Sequence, residues 1–205
     1  MNRSGIIFVF FTCFCPLNIS LHSVNEKHHE ELSKEITDWD ARLEYARLLG
    51  YQHKYDESLN EYHKLLAIKP HSHTIHIEMA KTLYYQHKYK DALAILDEIP
   101  QKNLDEETRL LIADLNIGLK KYPQAESIFR EHLKSHDDDI IKFKLAELLS
   151  WEKKYIESLP LFTELLTKRP NDIQLRRKYA MVLMWKGDFK EASEQLKKTL
   201  PDGES

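Results

Sequence analysis

The feature that most constrains the fold of this chain is an internal repeat. The segment Tyr51-Gln52-His53-Lys54-Tyr55 returns unchanged, 34 residues later, as Tyr85-Gln86-His87-Lys88-Tyr89. Spacings of 33 or 34 residues then give one aromatic residue per unit: Tyr55, Tyr89, Tyr122, Tyr155 and Phe189. Nine residues before each of these lies an alanine: Ala46, Ala80, Ala113, Ala146 and Ala180. A period in this range predicts a solenoid, in which each unit buries its apolar face by stacking on its neighbours.

Each unit is predicted to consist of two antiparallel helices joined by a turn at the aromatic residue. In the fourth unit, apolar residues recur at helical spacing from Leu145 to Leu149, before that turn, and again from Leu159 to Leu166 after it. The acidic segment 137–139 precedes the first of these helices, where carboxylates suit a helix N-terminus. The sequence lacks runs of β-branched residues with alternating polarity, so we predict an all-α fold without a sheet.

These units resemble the tetratricopeptide repeat. That family places a small residue midway along the first helix, an aromatic residue at the turn and a second small residue three positions later. Here the second small residue is, in order, Ser58, Ala92, Ala125, Ser158 and Ala192. The bulky position four residues further on is Tyr62, Leu96, Phe129, Phe162 and Leu196. Pro70 and Pro170 lie where the family closes a repeat, whereas Pro100 falls early and is expected to shorten the second unit.

The resemblance implies an all-α, right-handed superhelical solenoid of helix–turn–helix repeats. Five repeats are expected over about residues 39–72, 73–105, 106–138, 139–172 and 173–200, within a repeat domain at residues 38–200.

Two positions depart from the family pattern. The turn glycine occurs only as Gly187, and the other units carry predicted solvated turn residues, namely His53, His87, Lys120 and Lys153. The tryptophan usual early in the first helix is replaced in every unit by a basic or titratable residue: Arg42, His76, Arg109, Lys142 and Arg176. Such a row either lays aliphatic stems over the core with the charges in water, or forms a ladder that receives an acidic partner.

The residues on either side of the repeats are predicted to have separate roles. Residues 1–23 combine Arg3 with an apolar run from Ile6 to Leu17, which is typical of a cleaved secretory signal and is too short to span a bilayer. Cleavage near Ser20 or Ser23 predicts export to the periplasm or cell envelope, with no membrane-spanning segment in the mature chain. Residues 24–37 are expected to form a polar cap or linker, and residues 201–205 a tail.

Both cysteines, Cys13 and Cys15, lie within the predicted signal, so no disulfide is expected. Lipidation of either cysteine would instead give a membrane-anchored lipoprotein. The residues that precede them are not the small residues that lipoprotein signals favour, and we expect a simple cleaved signal.

Composition and motifs argue against nucleic-acid binding and against catalysis. The 205-residue chain is 31% charged with a formal net charge of −3, whereas nucleic-acid binders carry a basic excess. With five glycines, the chain has no glycine-rich phosphate loop and no nucleophile elbow. His71, His73 and His76 are close in sequence, but no carboxylate or cysteine nearby completes a metal-ligand set. We therefore predict no enzyme activity, no cofactor and no metal site.

One face of the first helices is predicted to bind a partner, since in the tetratricopeptide family that face lines a concave groove. Helical projection places there Arg47, Tyr51, Lys81, Tyr84, Tyr85, Phe143, Trp151, Arg177 and Trp185. One slot of the projection is aromatic in four units, as Tyr51, Tyr85, Trp151 and Trp185, and is Gly118 in the third. These rings either complete the solenoid core or anchor an extended ligand.

The predicted function is a non-catalytic, exported scaffold whose groove binds another protein. The segments Leu149-Ser150-Trp151 and Leu183-Met184-Trp185 also resemble repeats of bacterial exopolysaccharide-export scaffolds. That resemblance implies, as one alternative, a polysaccharide-assembly component that contacts glycan. A second alternative, in which the apolar leader is not a signal, is a cytosolic chaperone of a secretion system.

Overall fold

The chain folds, over the residues described by a computed structural model (37–201), into ten α-helices and one 3₁₀ turn (Gln101–Asn103), with no strand among those residues. The predicted signal with both cysteines, residues 24–36 of the predicted cap and residues 202–205 of the tail lie outside the described residues. The helices are α1 (Asp38–Tyr51), α2 (Tyr55–Ile68), α3 (His73–Tyr85), α4 (Tyr89–Asp97), α5 (Glu106–Gly118), α6 (Tyr122–Leu133), α7 (Asp139–Trp151), α8 (Tyr155–Lys168), α9 (Ile173–Lys186) and α10 (Phe189–Lys197).

The described residues divide into two units, residues 37–41 and residues 42–201. In the first unit, Thr37 and Asp40 form a reciprocal cap at the start of α1. The Asp40 N–H donates to Thr37 Oγ1 at 3.2 Å, and the Thr37 N–H donates to Asp40 Oδ2 at 3.3 Å.

Residues 42–201 form a stack of helical hairpins, which confirms the all-α solenoid expected from the repeat. Each helix from α2 to α9 packs against the next along the chain, and α3 also contacts α5. Helices α3 and α5 are the first helices of the second and third hairpins. No helix within residues 37–201 has both the length and the apolar character needed to cross a membrane.

The small residues of the repeat lie where the two helices of a hairpin meet. The five mid-helix alanines are fully buried, and the second small residue is at most 1% exposed in every hairpin. In the two hairpins that carry serine there, the hydroxyl bonds across the helix pair: Ser58 Oγ donates to the Ala46 carbonyl, and Ser158 Oγ to the Ala146 carbonyl, each at 2.7 Å. The close helix approach predicted from these rows is confirmed.

The aromatic residue of each repeat is the first residue of the second helix of its hairpin, so the predicted turn positions are confirmed. Two residues before it, the backbone enters the left-handed region: φ is 61° at His53, 58° at His87 and Lys120, 61° at Lys153 and 100° at Gly187. These turn residues are exposed, as predicted. Helix α4 has 9 residues, against 14 in α2 and α8, because Pro100 ends the second repeat early.

Aspartates cap three of the first helices. Asp105 accepts a hydrogen bond from Thr108 N, Asp138 from Ile140 N and Ile141 N, and Asp172 from Leu175 N. The acidic junction at residues 137–139 therefore serves the start of α7, in agreement with the sequence pattern.

A candidate binding groove

A cleft of ≈ 570 Å³ lies across the first helices of the first three hairpins. We call it the N-terminal cleft. Its walls are residues of α1, α3 and α5, and Tyr62 of α2 lies on its floor. It is lined by Glu44, Arg47, Gly50, Tyr51, Tyr62, Glu78, Lys81, Thr82, Tyr84, Tyr85, Glu107, Leu110, Leu111 and Asp114. Five of the nine groove residues predicted from sequence therefore share one cavity, namely Arg47, Tyr51, Lys81, Tyr84 and Tyr85.

The two cations of the N-terminal cleft are held by carboxylates of the same and the next repeat. Arg47 contacts Glu44 at 2.6 Å and Glu78 at 3.1 Å, and Lys81 contacts Glu107 at 2.7 Å and Glu78 at 3.9 Å. Burial acts to lower the pKa of Lys81, but the hydrogen bond to Glu107 and the charge of Glu78 outweigh it, so this pKa lies above its ordinary value. Both cations remain charged at neutral pH and are fixed in position.

The aromatic residues of the N-terminal cleft differ in burial. Tyr51 is 76% exposed and Tyr85 is 59% exposed, so neither ring belongs to the core. Tyr84 is half-buried and packs against Tyr85 and Tyr89, with ring centroids 5.5 and 5.8 Å apart. Burial raises the pKa of Tyr84, and it raises the pKa of Tyr62 on the cleft floor to about 12. The exposed rings beside fixed charges form an amphipathic surface.

The other four predicted groove residues lie outside the N-terminal cleft. Trp151 is 45% exposed and packs on Tyr122 at 6.1 Å between ring centroids, and Trp185 is 49% exposed. Phe143 is half-buried, with its ring edge-on to the buried Phe162 ring at 6.0 Å. Arg177 donates to Thr199 Oγ1 at 3.3 Å and to the Thr199 carbonyl at 3.2 Å.

None of these four residues lines the N-terminal cleft. The structure therefore separates a tyrosine-lined N-terminal part of the groove from a tryptophan-bearing C-terminal part.

Charge pairs between neighbouring first helices were not predicted. At three of the four junctions, the residue after a mid-helix alanine contacts the residue two positions before the alanine of the next repeat. Arg47 thus pairs with Glu78, Asp114 with Lys144 at 2.7 Å, and Glu147 with Lys178. At the second junction that position is Leu111, and Lys81 contacts Glu107 instead. Comparing these two positions along the 34-residue period would have revealed the complementary charges.

Three of the five residues in the basic row of the first helices are paired within the protein. Arg42 contacts Glu61 at 2.6 Å, and Arg176 bonds to Gln195 Oε1 at 2.6 Å. Lys142 is only 7% exposed and contacts Asp137 at 2.8 Å as well as Glu164. These hydrogen bonds raise the pKa of Lys142 against the opposing effect of burial. The three side chains link the first helix of a hairpin to its second helix or its leading loop, which favours the structural interpretation of the row.

His71, His73 and His76 do not converge on a shared site in the described part of the chain. The His73 Nδ1 atom lies 3.5 Å from Asn103 Nδ2, and His76 Nδ1 contacts the Ser72 carbonyl oxygen at 2.9 Å. These contacts are those of a junction between repeats.

Sequence and structure comparisons agree on the fold family. The family model described as tetratricopeptide repeat matches residues 51–108 and 152–204, together more than half of the chain. No curated relative matches by sequence. Among solved structures, a MamA fragment from Desulfovibrio magneticus RS-1 has a TM-score of 0.71 at 13% identity, covering 80% of this chain and 95% of that one.

Two further solved structures show the same fold. YrrB, described as a tetratricopeptide repeat protein with an unusual peptide-binding site, has a TM-score of 0.66 at 17% identity, covering 87% of this chain and 93% of that one. A tetratricopeptide repeat protein from Parabacteroides merdae has a TM-score of 0.66 at 21% identity, covering 86% and 70%. With its five hairpins, buried small-residue rows and matching family model, this chain belongs to the tetratricopeptide repeat family.

Proposed function

We propose that the protein is a non-catalytic scaffold that binds an extended segment of another protein in the N-terminal cleft. The observation that carries this proposal is the cleft itself, where the exposed rings of Tyr51 and Tyr85 stand beside fixed charges. Amphipathic aromatic side chains next to charges are the residues on which peptide recognition concentrates its binding energy. The peptide-binding site named for YrrB supports the choice of ligand class for a protein of this fold.

The charges of the cleft indicate that the partner segment bound there is basic. Four carboxylates line it against two cations, and one of the four, Asp114, is paired with Lys144 from outside the cleft. The side chains of Glu44 and Glu107 are 62% and 75% exposed, so each offers oxygen atoms to a ligand despite its internal ion pair. An Arg or Lys side chain of the partner would meet these two carboxylates while its apolar neighbours contact the tyrosines.

The test is affinity capture with the whole protein, followed by binding measurements on peptides from any captured partner. The double variant Tyr51→Ala, Tyr85→Ala should lose the partner, with a cost of about 2 kcal/mol or more of binding energy if the rings are anchors. The matched control is Ile156→Ala, because Ile156 is 82% exposed on α8, a second helix that does not line the cleft. Capture of the same proteins by wild type and double variant would refute the proposal.

The polysaccharide alternative rests on the C-terminal part of the groove, where Trp151 and Trp185 are half-exposed. Indole faces at this exposure can stack on sugar rings. If glycan is the ligand, oligosaccharides from the cell envelope should change the tryptophan fluorescence, and Trp185→Ala should reduce that change while Tyr85→Ala leaves it intact.

We propose in addition that the protein is exported by cleavage of residues 1–23. The support is the apolar run from Ile6 to Leu17 behind Arg3. Mass measurement of the native protein should give a chain that starts near residue 21 or 24. A full-length chain in the cytosol would overturn export and would favour the chaperone alternative.

A further inference from the structure

Two histidines and a glutamate converge at the base of the third hairpin. His132 lies near the end of α6, His136 follows one turn later, and Glu106 is the first residue of α5. The Nδ1 atoms of both histidines face the same oxygen, Glu106 Oε1, at 2.7 Å from His132 and 3.3 Å from His136. One ligand atom from each of the three residues lies within 4.8 Å of the other two. We call this group the Glu106–His132–His136 cluster.

A fourth residue orients the cluster. The second ring nitrogen of His132, Nε2, lies 3.2 Å from Asp138 Oδ2. Asp138 uses its other oxygen, Oδ1, to cap α7 through Ile140 N and Ile141 N. Its carboxylate is therefore held from two directions, and Nε2–H of His132 donates to it. This hydrogen bond leaves Nδ1, on the cluster side, as the ring nitrogen that can bind a metal ion.

We propose that the Glu106–His132–His136 cluster binds a divalent transition metal of the zinc type. Two imidazole nitrogens and one carboxylate oxygen are a ligand set used by zinc in proteins, with a fourth position left for water. Alkaline-earth cations prefer sites made of oxygen atoms, so Mg²⁺ and Ca²⁺ are poor candidates here. Metal-bound histidines commonly donate their second ring N–H to a carboxylate, as His132 does to Asp138.

Little movement is required for coordination. The side chain of His132 is 8% exposed and is fixed between Glu106 and Asp138. The rings of His132 and His136 now stack at 4.7 Å, so His136 must turn its ring for both nitrogens to point at one ion. His136 can do so, because it lies beyond the end of α6 and its side chain is 48% exposed. Metal binding requires His132 Nδ1 to be unprotonated and would replace its present contact with Glu106 Oε1.

A bound ion would tie the start of α5 to the end of α6, next to the cap of α7. It would join both helices of the third repeat to the first helix of the fourth through Asp138. The neighbouring residue Glu107 lines the N-terminal cleft and pairs with Lys81, so the metal site would stiffen one wall of that cleft. We expect the metal to raise the thermal stability of the whole chain.

The experiment is titration of the metal-free, mature protein, which lacks residues 1–23 and both cysteines, with ZnCl₂, using CoCl₂ as a spectroscopic probe. One equivalent of Zn²⁺ should bind and raise the melting temperature, and Co²⁺ should show the visible absorption of a tetrahedral site. Glu106→Gln and His136→Ala, which alter half-exposed side chains, should each weaken Zn²⁺ binding at least about tenfold without unfolding the chain. Circular dichroism before metal addition checks the fold of each variant.

Two further variants test the role of Asp138 and exclude Zn²⁺ binding at the other histidine group, His71, His73 and His76. Asp138→Asn keeps a side-chain oxygen for the α7 cap but removes the carboxylate from His132, and it should weaken binding by about 10- to 100-fold. The control, His71→Ala with His73→Ala and His76→Ala, should bind Zn²⁺ as wild type does. Absence of Zn²⁺ uptake by the wild-type chain, or full uptake by the Glu106→Gln, His136→Ala double variant, would overturn the proposal.

Discussion

At the scale of single residues, the turn between the two helices of each hairpin contains one residue whose backbone conformation is unfavourable for any residue with a side chain. His53, His87, Lys120 and Lys153 have φ between 58° and 61°, in the left-handed region. A residue other than glycine is disfavoured there by about 1–2 kcal/mol, because its Cβ approaches the following carbonyl oxygen. The histidines recover part of this through a contact from Nδ1 to a tyrosine hydroxyl, at 2.7 Å for His53 and 2.6 Å for His87. The family's turn glycine is thus explained by the turn geometry.

Lys153→Gly should raise the free energy of unfolding by up to about 1 kcal/mol, because relief of the left-handed strain exceeds the added chain entropy of glycine. The reverse exchange, Gly187→Ala, should lower it by a similar amount, since Gly187 has φ of 100°. Urea unfolding of both variants measures the effect. A loss of stability in Lys153→Gly would show that its backbone is not strained.

Gly118→Ala should lower the free energy of unfolding by about 1–3 kcal/mol through overpacking. An added Cβ would lie 2.5 Å from Cδ2 of Tyr89, whose ring covers the glycine from the previous hairpin. Gly50→Ala is the matched control, because there the nearest atom, Ser58 Oγ, is 3.6 Å away. The control should be neutral or stabilising by about 0.5–1 kcal/mol, as expected for alanine in a helix. Equal effects at the two sites would mean that the Tyr89 ring moves aside freely.

At the scale of helices, each hairpin is closed by small side chains that let two backbones approach. Ala92 is fully buried among the core residues of the second repeat, whereas Ala94, two positions along the same helix α4, is exposed. The two alanines share secondary structure and neighbouring sequence. They differ in whether a second helix lies against them.

Ala92→Leu should therefore lower the free energy of unfolding by about 1–3 kcal/mol, because the added atoms force the paired helices apart. Ala94→Leu should change it by less than about 0.5 kcal/mol, as is usual for an exposed position. Thermal or urea unfolding of the pair gives the comparison. Equal tolerance at both positions would contradict the assigned helix contact.

The helix pairs could be predicted from sequence because they repeat. The first and fourth hairpins have equivalent residues at the helix contact and the turn, namely Ala46, Tyr55 and Ser58 in one and Ala146, Tyr155 and Ser158 in the other. The sequence period alone is therefore enough to identify these positions. The groove was predicted less completely. Helical projection placed Tyr51 and Tyr85 on one face, and both line the N-terminal cleft, but projection could not show that Arg177 bonds to Thr199 near the end of the described chain.

Nor does projection along single helices reveal the Glu106–His132–His136 cluster. His132 and Glu106 are 26 residues apart, and their contact depends on the antiparallel packing of α5 and α6, which brings the start of one helix to the end of the other. It occurs in one repeat only, so the period carries no signal for it.

At the scale of the whole molecule, repeat junctions are sensitive to acid. Several carboxyl groups have pKa values below their ordinary range, including Glu61, Asp105 and Asp137. Hydrogen bonds from Lys142 and Lys168 lower the pKa of Asp137 to about 2. Because the unfolded chain binds a proton at about pH 4, this contribution to stability is complete above that pH and is lost as the pH falls towards 2.

Asp137→Asn should accordingly flatten the pH dependence of unfolding between about pH 4 and pH 2, while leaving its shape at higher pH unchanged. Urea unfolding at a series of pH values measures this slope. Asp97→Asn is the control, since Asp97 is exposed at the end of α4 and has no ion-pair partner within the described residues. An unchanged slope in the Asp137 variant would assign acid sensitivity to other carboxyl groups.

The charge pairs between first helices have a consequence for the order of the repeats. At the first junction the leading residue is basic and the following one acidic, Arg47 to Glu78, whereas at the third and fourth junctions the leading residue is acidic and the following one is Lys144 or Lys178. The repeats share their buried alanines, but they differ in the charges that they present to the neighbouring repeat. Exchanging two repeats can therefore place like charges together.

Loss of the third repeat by recombination would bring Lys81 against Lys144, whereas loss of the fourth would still bring Asp114 against an opposite charge, Lys178. The charge pairs on the first helices therefore disfavour some orders of these similar repeats and permit others.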